Sequence, residues 1–114
     1  MSKVYFTGDD WTMNATLKQN GALYDASAAT AIEAAVVYQQ KNSDPTQEIS
    51  TTSQLGNAGE DLANGLIVVK FPSASTANVT KYDQDLLIEI QVTNGGEKIT
   101  WPRKLFNVQK GTIS

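Results

Sequence analysis

The sequence predicts an all-β domain, an antiparallel β-sandwich of about seven or eight short strands. Two segments carry the prediction. From Leu86 to Thr93 one parity is wholly apolar (Leu86, Ile88, Ile90, Val92), and the other carries Glu89, Gln91 and Thr93 beside Leu87. From Trp11 to Lys18, the residues Trp11, Met13, Ala15 and Leu17 alternate with Thr12, Asn14, Thr16 and Lys18. Both have the two-residue period of a strand with one buried face. Such a face needs a second sheet to cover it, and turn signals punctuate the chain throughout, so two packed sheets are expected.

Taken in order, Lys3 to Thr7 is a short apolar run, an expected edge strand, which Gly8-Asp9-Asp10 ends with turn chemistry. The alternating strand from Trp11 follows. Asn20-Gly21 is the strongest hairpin signal, because both residues tolerate positive φ. Ala22 to Asp25 returns along that hairpin before a small-residue loop, Ala26 to Ala29. Thr30 to Gln40 fits two templates. Ile32, Ala35, Val36 and Gln39 have helical spacing, whereas Ile32, Ala34, Val36 and Tyr38 have strand spacing. Its β-prone Val36-Val37-Tyr38 and its β neighbours favour strand.

Lys41 to Pro45 is a polar turn and Ile49 to Ser53 a short strand. Leu55 to Asn64 lacks periodicity and is expected to project as a loop. Gly65 to Phe71 is a strand closed by Pro72, with Ile67, Val69 and Phe71 on one face. Ser73 to Thr76 can cap a single helical turn. Tyr82 then stands at the corner from which the strand at Leu86 runs into the core. There it can bury its ring and bond its hydroxyl to backbone upstream; the alternative is an ordinary half-buried aromatic. Asn94 to Glu97 is a hairpin loop, after which Ile99 and Trp101 alternate with Lys98 and Thr100. Pro102 cannot donate to a ladder, so an edge or a bulge is expected there. Leu105 to Val108 resumes the last strand.

With 114 residues the chain is read as one domain, 1–114, large enough to bury about two-thirds of its unfolded surface. It has no His and no Cys. Disulfides, thiolate zinc sites, Cys nucleophiles, His metal ligands and a Ser-His-Asp triad are thereby excluded. Nine basic and twelve acidic residues give a net charge of −3, which provides no field for nucleic acid. No apolar run approaches the ~20 residues of a membrane span. Met1 to Phe6 enters a strand-like run with no signal-peptide core, so synthesis in a cytosol without export by that route is expected.

The punctuation of the chain carries a resemblance. Phe6-Thr7-Gly8-Asp9-Asp10-Trp11 leads a strand, and Asn20-Gly21 and Tyr24-Asp25-Ala26-Ser27 precede the next. Then come Ala63-Asn64-Gly65-Leu66-Ile67-Val68, Ser75-Thr76, Lys81-Tyr82-Asp83, Asp85-Leu86 and Phe106-Asn107-Val108. This order resembles the immunoglobulin-like domains of tailed-bacteriophage virion proteins, such as the N-terminal domain of baseplate upper proteins. The similarity spans nearly the whole chain but rests on turn and strand residues, with no catalytic signature. Lys81 stands where such domains often have Gly, and Ala28-Ala29 replace a Thr-Gly turn. The resemblance implies an immunoglobulin-like sandwich, no enzyme activity and no cofactor. It also implies a component of a baseplate, tail, neck or head, made in the host cytoplasm, with other virion proteins and further copies of itself as partners. Because baseplate upper proteins carry further domains whereas this chain ends after the sandwich, a small stand-alone component is expected.

The residues with chemical potential have plainer readings. Asp9/Asp10, Glu60/Asp61 and Asp83/Asp85 are paired carboxylates, but all sit at turns, where solvation keeps them ionised, rather than across a cleft. Calcium on Asp9, Asp10, Asp83 and Asp85 lacks any ligand loop of known spacing. Trp11 and Trp101 share parity with apolar neighbours, which makes them structural core residues along with Tyr82, rather than sugar platforms. Arg103-Lys104 beside Trp101 is too little charge for single-strand stacking on an acidic protein. Partner contacts are therefore expected on loops and edges: Leu55 and Leu62, the Gly95-Gly96 tip, and Pro102 with Arg103 and Lys104. The two leucines either dock on a neighbour or fold back on their own sandwich. A stand-alone surface- or carbohydrate-binding module is the alternative function, and it needs an exposed aromatic or apolar patch at one loop end.

Overall fold

A computed structural model of the chain describes residues 4–38, 44, 46–51, 55–81, 86–105 and 108–111. They form ten strands: β1 (Tyr5–Phe6), β2 (Trp11–Thr16), β3 (Lys18–Gln19), β4 (Ala22–Leu23), β5 (Ala31–Tyr38), β6 (Thr46–Thr51), β7 (Leu66–Phe71), β8 (Leu86–Asn94), β9 (Glu97–Leu105) and β10 (Val108–Gln109). One 3-10 turn (Leu62–Asn64) precedes β7, and one short helix, α1 (Ser73–Thr76), follows it. The expected all-β sandwich is what forms.

The larger sheet has the order β6-β5-β8-β9, antiparallel throughout. Opposite it, β2 and β7 pair antiparallel from Trp11↔Phe71 to Thr16↔Leu66. β1 runs parallel to β10, and β3 and β4 make a small hairpin. The two alternating strands do what their period requires. Leu86, Ile88, Ile90 and Val92 are all buried, while Leu87, Glu89, Gln91 and Thr93 are only half-buried. They meet Ile32, Ala34, Val36 and Trp101 of their own sheet and Trp11, Ile67, Val69 and Phe71 of the other in one apolar cluster. Each fully buried Ile, Leu, Val or Phe contributes about 1.5–3 kcal/mol of transfer energy. Thr30 to Gln40, which fits both templates, is strand β5 from Ala31 to Tyr38, held between β6 and β8.

Several local expectations shift. The strand expected from Ile49 starts earlier, at Thr46, and the strand from Trp11 stops at Thr16, leaving Leu17 fully buried between β2 and β3. β9 carries its ladder through Pro102 with no break in register, so the edge expectation holds and the bulge does not. Hairpin parity explains this. The two-residue turn Gly95-Gly96 makes Asn94↔Glu97 a hydrogen-bonded pair, and alternation makes Glu89↔Pro102 a non-hydrogen-bonded one. The nitrogen of Pro102 thus points away from β8, where a donor is not needed.

A bulge occurs instead on the opposite edge. Val36 pairs with Ile49 and Val37 with Gln47, so Glu48 is the extra residue of β6. Its carboxylate accepts from Thr80 N, Thr80 Oγ1 and Lys81 N at 2.9, 2.9 and 3.1 Å. A bulge that twists an edge and ties a connection across it discourages pairing with another chain. The Tyr82 corner expectation lies outside the described residues, as do Asp83 and Asp85.

Candidate functional site

The loops that could meet a partner gather at one end of the sandwich, and Tyr24 ties them together. Its ring packs 4.9 Å from that of Trp101, and its hydroxyl accepts from Asn94 Nδ2 at 3.2 Å, beside the Gly95-Gly96 tip. Its backbone N–H donates to Leu17 O, while Leu17 N donates to Gly65 O and Ala26 N donates to Leu62 O. Trp101 Nε1 reaches Lys18 O at 2.9 Å. The β3–β4 hairpin, the segment before β7 and the β8–β9 hairpin are therefore one connected end. Its exposed parts are Asn20 and Gly21, Gly95 and Gly96, and Leu23, which is 50% accessible.

The candidate residues divide. Gly95 and Gly96 are exposed with φ of 61° and 86°, as a tight hairpin tip requires. Pro102 is exposed on edge strand β9. The backbones of Arg103 and Lys104 extend β9, but their side chains lie outside the described residues. Leu55 and Leu62 are half-buried and pack against the core. The segment around them does not project as expected: Asn57 Nδ2 donates to Val68 O at 2.7 Å, and Gly59 lies against Val68. An apolar residue in a polar loop gains most by folding onto the nearest apolar surface, here β7. Replacing both leucines by Ser is expected to cost about 2 kcal/mol, read as a lower melting temperature of the monomer. An unchanged melting temperature with lost self-association or partner binding would reassign them to docking.

Trp11 and Trp101 are both core residues, 1% and 8% accessible, with their indole N–H groups satisfied by Phe6 O and Lys18 O. The carboxylates of the turns accept from backbone N–H groups or from a neighbouring side chain. Asp10 Oδ1 accepts from Ser73 N at 2.7 Å, so the first turn, and not a serine, caps α1. Asp61 Oδ2 accepts from Asn64 Nδ2, and Glu60 Oε1 from Gly56 N. Among the described residues no group of three or more acidic side chains is placed to hold a metal ion.

Asp25 Oδ1 accepts from both the hydroxyl and the N–H of Ser27, at 2.6 and 2.9 Å, which holds its carboxyl below the usual carboxylate range. A depressed folded-state pKa contributes stability above the unfolded value, about 4, that is lost as pH falls through the folded one. Asp25→Asn should therefore lower stability slightly at neutral pH, leave it unchanged in acid, and so flatten the limb of the profile below about pH 4, measured by urea titration at stepped pH.

The outer face of the larger sheet holds a shallow polar depression of about 380 Å³, lined by Glu33, Ala35, Gln47, Ser50, Glu89, Gln91 and Thr100 among others. Gln91 Nε2 bonds Thr100 Oγ1 across β8 and β9 at 3.2 Å. Such a face offers hydrogen bonds and negative charge, and no buried reactive group. Two further features escaped the sequence reading. Val4 and Phe6, which flank Tyr5, are 45% and 43% accessible, an arrangement legible only once Tyr5 is seen to pack inward on Trp11. Thr76 is fully buried, its hydroxyl donating to Asp9 O at 2.6 Å and accepting from Gly8 N. No protein-family model matches the chain, and no curated protein matches it in sequence.

Proposed function

We propose that this chain is a non-enzymatic, immunoglobulin-like structural component of a tailed-phage particle, working through protein–protein contacts with other virion proteins and with copies of itself. The observation that carries the reading is the strand order. A sheet ordered β6-β5-β8-β9 over the pair β2-β7, with β1 parallel to β10, has the order expected of strands C′-C-F-G over B-E and so supports the immunoglobulin-like reading. The sequence resemblance to phage immunoglobulin-like domains supports the virion setting. The use of the Asp10 and Glu60 carboxylates as acceptors for backbone N–H groups supports a scaffold rather than a catalyst.

The sugar-binding alternative loses Trp11 and Trp101 as stacking platforms, since both serve the core, and would rest on exposed Phe6 or Leu23 instead. In this reading the protein is made in the bacterial cytoplasm and ends in the particle, with no membrane, nucleic-acid or cofactor role. Antibodies raised against the purified chain should label intact phage particles at a discrete position in negative-stain micrographs. Light scattering on the purified chain should register a defined oligomer. Particles that lack the chain by mass spectrometry would overturn the proposal.

A further inference from the structure

The chain contains three Asn-Gly pairs, Asn20-Gly21, Asn64-Gly65 and Asn94-Gly95, and the fold treats them differently. An Asn followed by Gly is the pair most open to spontaneous ring closure, because Gly has no Cβ to hinder its nitrogen. The Gly nitrogen, having lost its proton to solvent base, attacks the Asn Cγ. A carbon–nitrogen bond forms, ammonia leaves with a proton from water, and a cyclic imide remains. Water then opens the imide at either carbonyl, giving Asp or isoaspartate, so the net change is amide plus water to acid plus ammonia. The nitrogen must swing toward Cγ, so the turn has to open locally first.

At Asn64 both reacting groups are held. Its carboxamide donates to Asp61 Oδ2 at 2.8 Å, and Gly65 N donates to Leu62 O at 3.1 Å inside a buried backbone junction. At Asn94 one is held, through the carboxamide and Tyr24 Oη, at the end of two nine-residue strands. Asn20 differs from both. It is exposed with φ 55°, and neither its carboxamide nor the Gly21 N–H has a hydrogen-bond partner among the described residues. The strands that close this hairpin are two residues each and wholly exposed, so opening it breaks little.

We propose that Asn20 is a site of spontaneous modification, converting to aspartate and isoaspartate in the folded protein while Asn94 and above all Asn64 are protected. The product places a new carboxylate at the tip of the hairpin that carries exposed Leu23. In the isoaspartate form it also adds one backbone carbon to a turn that has only two ladder pairs to hold its register. The end of the sandwich carrying the three connected loops thereby changes charge and shape with age.

Trypsin separates the three pairs into peptides 19–41, 42–70 and 82–98. The folded protein is held at mildly alkaline pH, digested briefly, and the peptides are quantified by mass spectrometry with fragmentation. Peptide 19–41 is expected to acquire both acid forms roughly tenfold or more faster than the Asn64 site, with Asn94 between them. In denaturant the three rates should converge. Asn20→Gln should abolish the signal in 19–41, because its longer side chain closes a ring less readily. Another order in the folded chain, the same order in denaturant, or persistence of the signal in Asn20→Gln would each overturn the proposal.

Discussion

Gly65→Ala is expected to destabilise the fold by roughly 3 kcal/mol or more, the class of effect seen when a special backbone position and a close contact are lost together. Gly65 has φ 73° and ends the 3-10 turn Leu62–Asn64. A Cβ built there would lie 2.6 Å from Leu17 O, 2.8 Å from Tyr24 O and 3.2 Å from Tyr24 N. All three are backbone atoms, so no side chain can swing aside. Relief requires moving the end of β2 or the Tyr24 junction, and with it the bonds from Leu17 N to Gly65 O and from Tyr24 N to Leu17 O. The control is Gly96→Ala, at φ 86° with open space around it, which should cost about 1–2 kcal/mol of backbone strain alone. Urea midpoints of the two variants decide the matter. Equal losses would mean that the junction yields freely and that Tyr24 does not organise the loop end.

Trp11→Ala should cost about 3–5 kcal/mol. Trp11 is among the largest fully buried side chains, packed edge-on to Phe71 at 6.2 Å and tilted against Tyr5 at 5.6 Å. Its indole N–H also bonds Phe6 O at 2.8 Å, so it pins β1 to the body as well as filling the core. Burial raises the Tyr5 phenol above its ordinary pKa. If Trp11 holds β1 down, a still-folded Trp11→Phe variant should show a smaller stability loss and a Tyr5 titration shifted back toward the ordinary value. Absorbance titration alongside urea unfolding reads both. A core loss with Tyr5 unmoved would confine Trp11 to packing.

What was legible without the structure was what depends on neighbours in sequence. The alternation at Trp11 to Leu17 and Leu86 to Val92 assigned two strands and their buried faces, because strand side chains alternate whatever the partner. Asn20-Gly21 and Gly95-Gly96 marked hairpins because positive φ is a local steric matter. Pro72 closed β7 for the same kind of reason. Trp11 and Trp101 followed from parity alone.

Only the tertiary structure decided the rest, since it turns on which distant residues meet. Thr30 to Gln40 carried both periods, and pairing with β6 on one side and β8 on the other selected the strand. Asp10 caps a helix 63 positions away, and Glu48 holds a connection more than 30 positions on; no local pattern announces either acceptor. Leu55 and Leu62 read equally well as docking or core residues until the segment was found lying on β7. The Asn-Gly pairs make the same point for chemistry. Three identical dipeptides have one intrinsic reactivity, and only the hydrogen bonds of Asn64 and Asn94 and the bare hairpin at Asn20 set them apart.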